Sequence, residues 1–202
     1  MPASRGIHTM PPLTVDGARA LMHEWVASPS LRHHIECVAA CMAAYADALA
    51  SSPPDHDRWV VCGLLHDFDY ERHPTRVEHP FVGVAHLRER SLVDEEIVDA
   101  ILGHAEYSGV PRRTPMAKAL FAVDELAGFI VACGKIRPDG LATLEPRSVR
   151  KRLKEKSFAA AVSREDIARG TAELAELALP PPNDEESHFA RCIRAIAGMP
   201  QA

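Results

Sequence analysis

Runs in which apolar and polar residues alternate are missing from this 202-residue chain, and with them the usual mark of a half-buried β-strand. No apolar stretch is long enough to span a bilayer. The opening MPASRGIHTMPPL has one arginine and no apolar core of signal-peptide length. A cytoplasmic protein without a membrane partner is therefore expected. Positive charge is not in excess either: the formal net charge is -5, so the composition gives no reason to expect a nucleic-acid partner. The five cysteines, Cys37, Cys41, Cys62, Cys133 and Cys192, include no C-x-x-C pair. Being odd in number and mostly set in apolar helical patterns, they read as reduced core residues. The Cys37 and Cys41 spacing would allow a shared soft metal, but packing is the simpler account. Internal repeats and low-complexity segments are absent as well.

What the chain has is helical periodicity, with 47% apolar and 25% charged residues in globular proportion. That is enough to bury a core without disulfides or a structural zinc. An all-α fold is expected, as one domain over 1–202 with a core of about 20–135 and C-terminal helices at about 147–198 packed on it. Thr14 or Asp16 caps a helix over about 14–27, and Ser28-Pro29 opens a second that runs to about Ala50. Asp55 starts a third, carrying Trp59 to His66. Glu78-His-Pro80, Asp94 and Thr114-Pro115 open the next three, which reach respectively past His86, to about His104 and to about Val131. Residues 133–147 hold Gly134, Pro138, Gly140 and Pro146 and read as loop. Ser163-Arg-Glu-Asp166 resembles a capping box before a helix to about 179, and Asn183 is expected to cap the last one.

Against this apolar pattern one stretch stands out. The run from Val60 to Leu65 ends abruptly in His66-Asp67, followed by Asp69 and Glu71. An ionised carboxylate in such a setting is costly unless a cation or a donor meets it. Side chains three, four and seven apart share a helical face. By that test His34 lies with Leu31, Val38 and Cys41, and His104 lies with Ile97, Ala100 and Ile101. Asp124 sits in a stripe of Ala117, Leu120, Phe121, Ala127 and Val131. Each has a bland reading, a hydrogen-bonded core histidine or half of an internal ion pair, and Asp124 would then meet an arginine. Several helices that each turn an ionisable residue inward are more simply explained by convergence on a metal ion in the bundle core. His66 and Asp67 point about 100 degrees apart on a regular helix. They reach one ion together only at an unwound helix end, or when the carboxylate bridges two ions.

The order His34, His66-Asp67, Asp124 resembles the H...HD...D signature of the HD superfamily of metal-dependent phosphohydrolases. The phrases LLHDFDYE, EHPFVG, ILGHAEY, AVDELAGFI and SVRKRLKEKSFAAAVSREDI are similar to a bacterial and archaeal branch of HD-domain hydrolases, over about residues 20–175. The resemblance implies a helical bundle around a metal held by His34, His66, Asp67 and Asp124. Two-metal members add a histidine in an H-P-x-x-G stretch, matched by His79, and another in the helix before the last aspartate, matched by His104. Asp67 would then bridge. His34 is preferred to His33 because Val38 follows it by four, as the family pattern has it, and His33 is expected to be exposed. The lysine that often follows HD-x-G is absent, with Asp69 and Tyr70 in that region. The paired His-His-Glu of HD-GYP phosphodiesterases is replaced by His104-Ala-Glu106, which weakens a cyclic-dinucleotide assignment.

Nitrogen and carboxylate ligands without thiolates suit one or two divalent ions, Mn, Fe, Ni, Mg or Zn. The activity implied is hydrolysis of a small phosphorylated substrate, a phosphomonoester, nucleotide or phosphodiester, by metal-activated water. Besides Asp67, the candidate catalytic groups are Asp69, Glu71 and Glu106 as proton carriers. His86 either orients a ligand or lies at the surface. Arg137, together with Arg147, Arg150 and Lys151 from the one marked positive cluster, is a candidate for phosphate binding. Specificity is expected from loops at 68–78, 105–114 and 133–147. Two other readings remain, a mixed-valent di-iron oxygenase of the HD fold and a non-catalytic metal-containing binding protein.

Overall fold

The computed structural model describes residues 13–50, 52–177 and 184–200, and among these it contains nine α-helices and no strand. The all-α expectation holds. The helices are α1 (Val15–Trp25), α2 (Pro29–Leu49), α3 (Pro53–Leu65), α4 (Phe81–Glu89), α5 (Glu95–His104), α6 (Pro115–Lys135), α7 (Pro146–Leu153), α8 (Arg164–Ala175) and α9 (Glu185–Ala197), with a 3-10 turn at Glu106–Ser108. None of the helices is long and apolar enough to cross a membrane.

Local chemistry sets most boundaries. The hydroxyls of Thr14, Ser28, Ser52, Thr114 and Ser163 each accept a backbone N–H from the first turn of their helix, and Asp94 and Asp184 do the same with a carboxylate. α2, α3, α6 and α7 also carry proline in the first turn. Asn183 lies outside the described residues, and Asp184 serves as the cap of α9. Helix ends differ from expectation at α8, which stops at Ala175 rather than about 179, and at α6. α6 continues through Gly134 to Lys135, because a single glycine costs only about 1 kcal/mol in a helix and Phe129, Ile130 and Cys133 on this last stretch are buried. The loop is thus shortened to 136–145.

α2 and α6 are the two long central helices. α2 packs against α3, α6 and α9, and α6 packs against α5 and α8 as well. The contact of α2 with α3 is close: a Cβ at Gly63 would lie 2.7 Å from the Ala39 Cα. This draws the end of α3 up to the helix that carries His34. All five cysteines are free and buried, as packing predicts.

Candidate metal centre

α3 stops at Leu65, so His66 occupies its C-cap and Asp67 lies just beyond. His66 keeps a right-handed helical backbone at this position, with φ -61° and ψ -40°. His34 comes from the first half of α2, His104 from the last turn of α5, Asp124 from the middle of α6, and His79 from the residue before α4's cap, Pro80. Two groups of side chains result. His34, His66, Asp67 and Asp124 offer ligand atoms within 4.8 Å of one another, as do Asp67, His79 and His104.

Asp67 divides its oxygens between them. Oδ2 lies 3.9 Å from His34 Nε2 and 3.6 Å from His66 Nε2, while Oδ1 lies 3.3 Å from both His79 Nε2 and His104 Nε2. Asp124 Oδ1 completes the first group, 3.0 Å from His34 Nε2 and 3.5 Å from His66 Nε2. No arginine pairs with Asp124 among the described residues, so the ion-pair alternative falls away.

The far sides of the rings show why these are donor atoms. His66 Nδ1 donates to the Gly63 carbonyl at 2.8 Å, and His104 Nδ1 donates to the Ile101 carbonyl. His79 Nδ1 donates to Asp69 Oδ1 at 2.7 Å. With Nδ1 holding the proton, each Nε2 turns a lone pair toward the cluster. His66 Nε2 is buried and has no hydrogen-bond partner, which is the situation of a metal-ligating nitrogen.

Charge agrees. Burial works to lower the pKa of His66, but Asp67 and Asp124 outweigh it and carry it up to about 9. His79 also reaches about 9, where Asp67 and Asp69 overcome burial. Asp67 and Asp124 are held well below the ordinary carboxylate range despite burial, Asp67 chiefly by the His66 charge and Asp124 chiefly by His34 at hydrogen-bond distance, with the nearby His66 imidazole adding to it. The carboxylates therefore demand positive charge at the Nε2 atoms, and a divalent cation supplies it as a proton does. The donor set fits one metal ion or two.

Residues 31–128 match the family profile described as HD domain. This stretch belongs to the HD-domain family. That superfamily is in general one of metal-dependent hydrolases. Comparison with curated proteins and comparison with solved structures each find no match. All the clustered histidines and carboxylates fall inside the HD domain.

A cavity of about 800 Å³ opens over the cluster, lined among others by His34, Asp67, His79, His104 and Asp124 at the floor and by Tyr70, Arg76, Tyr107 and Arg169. A further wall is formed by Ala161, Val162 and the cap Ser163 with the first turns of α8 to Arg169, beyond the end of the HD match. The loops at 68–78 and 105–114 contribute as expected, but no residue of 133–147 lines this cavity. The reason is the added length of α6, which carries that loop to a separate cavity of about 720 Å³ around Arg137 and Lys151.

Several sequence candidates accordingly take other roles. Asp69 is buried and accepts from Gly83 N at 2.7 Å as well as from His79, so it orients an imidazole. The glycine of H-P-x-x-G has its reason here, since a Cβ at Gly83 would sit 2.8 Å from Asp69 Oδ2. Glu71 is not among the cavity residues; its Oε2 accepts the backbone N–H groups of Ala27 and Ser28 at 2.9 Å each and closes the turn between α1 and α2. Glu106 does line the cavity, with Arg112 at 2.6 Å and Arg169 as ion-pair partners. Burial works to raise its pKa, but the two arginines hold it below the usual carboxylate range. Arg137 is tied to Asp139 and Thr143, Arg147 to Glu145, and Arg150 to Glu185 and Glu186. With Lys151 they lie outside the cavity over the cluster, away from the metal-capable groups. His86 rests its ring against Trp25 at 4.8 Å and, among the described residues, belongs to neither metal-capable group. His33 is exposed, as expected.

Sequence reasoning missed Arg76, Tyr107, Glu125 and Arg169. Arg76 stood in a loop already expected to shape the pocket, three residues before His79. Tyr107 stood next to Glu106. Glu125 accepts from Ser163 N at 3.1 Å, and burial together with Asp124 pushes its carboxyl up to about 7. Arg169 carried no signal, because the docking of α8 on α6 is not written in its own helix.

Proposed function

We propose that the chain is a metal-dependent phosphohydrolase that cleaves a phosphate ester with water as the nucleophile. The observation that carries this reading is the division of Asp67, with one oxygen facing His34, His66 and Asp124 and the other facing His79 and His104, at the floor of an open cavity. The first set would hold one divalent ion and the second set another. Bound there, such ions polarise a phosphoryl oxygen and lower the pKa of water to near neutrality.

The chain's own residues supply the preorganisation. The Gly63 and Ile101 carbonyls and Asp69 fix three imidazoles by their Nδ1 atoms, so the donor nitrogens are aimed before any ligand arrives. Glu106, engaged by two arginines and kept ionised, is unsuited to donating a proton at neutral pH and acts by position. Mn, Fe, Ni, Mg and Zn all suit nitrogen and carboxylate donors without thiolate.

Metal analysis of protein purified without added metal, joined to a phosphatase screen and an oxygen electrode, tests the reading. Phosphate release is expected, abolished by a chelator and restored by Mn or Ni. Two irons per chain with a mixed-valent signal and oxygen consumption, without phosphate release, would establish the oxygenase instead.

A further inference from the structure

We propose that Arg76 anchors the substrate's phosphoryl group and that the cavity is built for a single phosphoryl group rather than a di- or triphosphate. The inference rests on the phosphohydrolase reading above and adds a substrate class to it.

Two cations line the cavity, Arg76 and Arg169. Arg169 is already engaged by Glu106 and Glu165. Arg76 is exposed and makes no ion pair with a carboxylate among the described residues, which leaves its charge available. It is also held in place. The Thr75 carbonyl accepts the N–H groups of Glu78 and His79 at 2.9 Å each, and the Thr75 hydroxyl donates to Glu78 at 2.6 Å. Arg76 sits inside this turn, which ends on His79, so its backbone is fixed relative to a residue of the cluster. Its guanidinium lies over the Tyr107 ring, 5.4 Å from the centroid, where the ring face attracts a cation. A planar fork presented in this way matches phosphoryl oxygens.

The other walls work against further phosphates. Glu106, Glu125, Glu165 and Asp166 all line the same cavity. A second or third phosphoryl group extending away from the floor would meet this acidic side with no free cation to compensate it, and like-charge juxtaposition is unfavourable. A compact monoester with a neutral or hydroxylated leaving group fits the charge layout.

The test uses manganese-saturated wild type, Arg76→Ala and Arg76→Lys, with metal content and circular dichroism recorded for each. Inorganic phosphate and inorganic triphosphate are titrated by calorimetry, and KM and kcat are measured with p-nitrophenyl phosphate. Arg76→Ala is expected to weaken phosphate binding and raise KM by about tenfold or more, with metal content unchanged and kcat affected less. Arg76→Lys should recover part of the loss. Phosphate affinity unaltered in Arg76→Ala would overturn the anchor, and triphosphate binding more than about tenfold tighter than phosphate would overturn the single-phosphoryl limit. Absence of any ester turnover by wild type would remove the phosphohydrolase reading, while the phosphate titration would still decide the role of Arg76.

Discussion

Two regions of this molecule bury histidines, and they do opposite things with them. In the HD domain, His66, His79 and His104 give Nδ1 to an acceptor and turn Nε2 toward carboxylates. Between α2 and α9, His188 is just as buried, yet its Nδ1 meets the Tyr45 hydroxyl at 2.7 Å and the Cys192 thiol at 3.8 Å, and among the described residues no carboxylate pairs with it. His66 Nε2 and His188 Nε2 both lack a hydrogen-bond partner. Burial and an orphaned nitrogen are therefore not enough to mark a ligand. What separates the regions is the carboxylate density around Nε2, which creates a demand for positive charge in one and not in the other.

The sharpest way to break the comparison is Asp67→Ala, which removes the carboxylate shared by both ligand groups. Metal content should fall to background and phosphatase activity by at least about 1,000-fold, several kcal/mol of lost charge stabilisation, as read by elemental analysis and initial rates. Retained metal would show that the two groups do not depend on their shared carboxylate. Next comes Asp69→Asn, which touches no proposed ligand atom directly and weakens the carboxylate that orients His79 and receives the Gly83 N–H. A loss of about 10- to 100-fold in metal affinity is expected, measured by chelator competition, with the fold intact by circular dichroism.

His188→Leu reverses the pattern. It should lower unfolding free energy by about 1–3 kcal/mol, because the buried hydrogen bond between His188 and the Tyr45 hydroxyl is lost, and leave metal affinity unchanged. Urea denaturation and the same chelator titration check both halves. If His188→Leu emptied the metal site, the two regions would not be independent. The smallest effect belongs to the Arg150→Ala, Lys151→Ala double variant. Its charges lie outside the cavity, so KM should change by less than about twofold, and loss of the exposed Arg150 ion pairs should cost no more than about 1 kcal/mol.

The HD signature was legible because its parts are local. A histidine and aspartate ending an apolar run, a histidine ahead of Pro80, and a lone acid in the Asp124 stripe each break a short-range pattern, and their order along the chain is the family's own. Helix starts were equally readable, since a cap and a first-turn proline act over four residues. What the sequence left open lies where a side chain's partner is distant along the chain. Glu71 and Asp69 are two residues apart in one acidic run, yet one closes the turn before α2 and the other orients His79. The positive cluster of α7 read first as a solvated face and second as a candidate for phosphate, and Glu145, Glu185 and Glu186 pair with its Arg147 and Arg150 away from the cavity over the cluster.

By itself the sequence determined the all-helical class, the helix starts and the set of histidines and aspartates able to meet a metal, because periodicity, caps and a charged break in an apolar face are properties of neighbouring residues. Only the tertiary structure decided that Asp67 faces two groups at once, that α8 closes the cavity, and that Arg76 rather than α7 brings positive charge to its mouth. Those features depend on how helices far apart in the chain dock, and docking is set by the shapes of many side chains together rather than by any single segment.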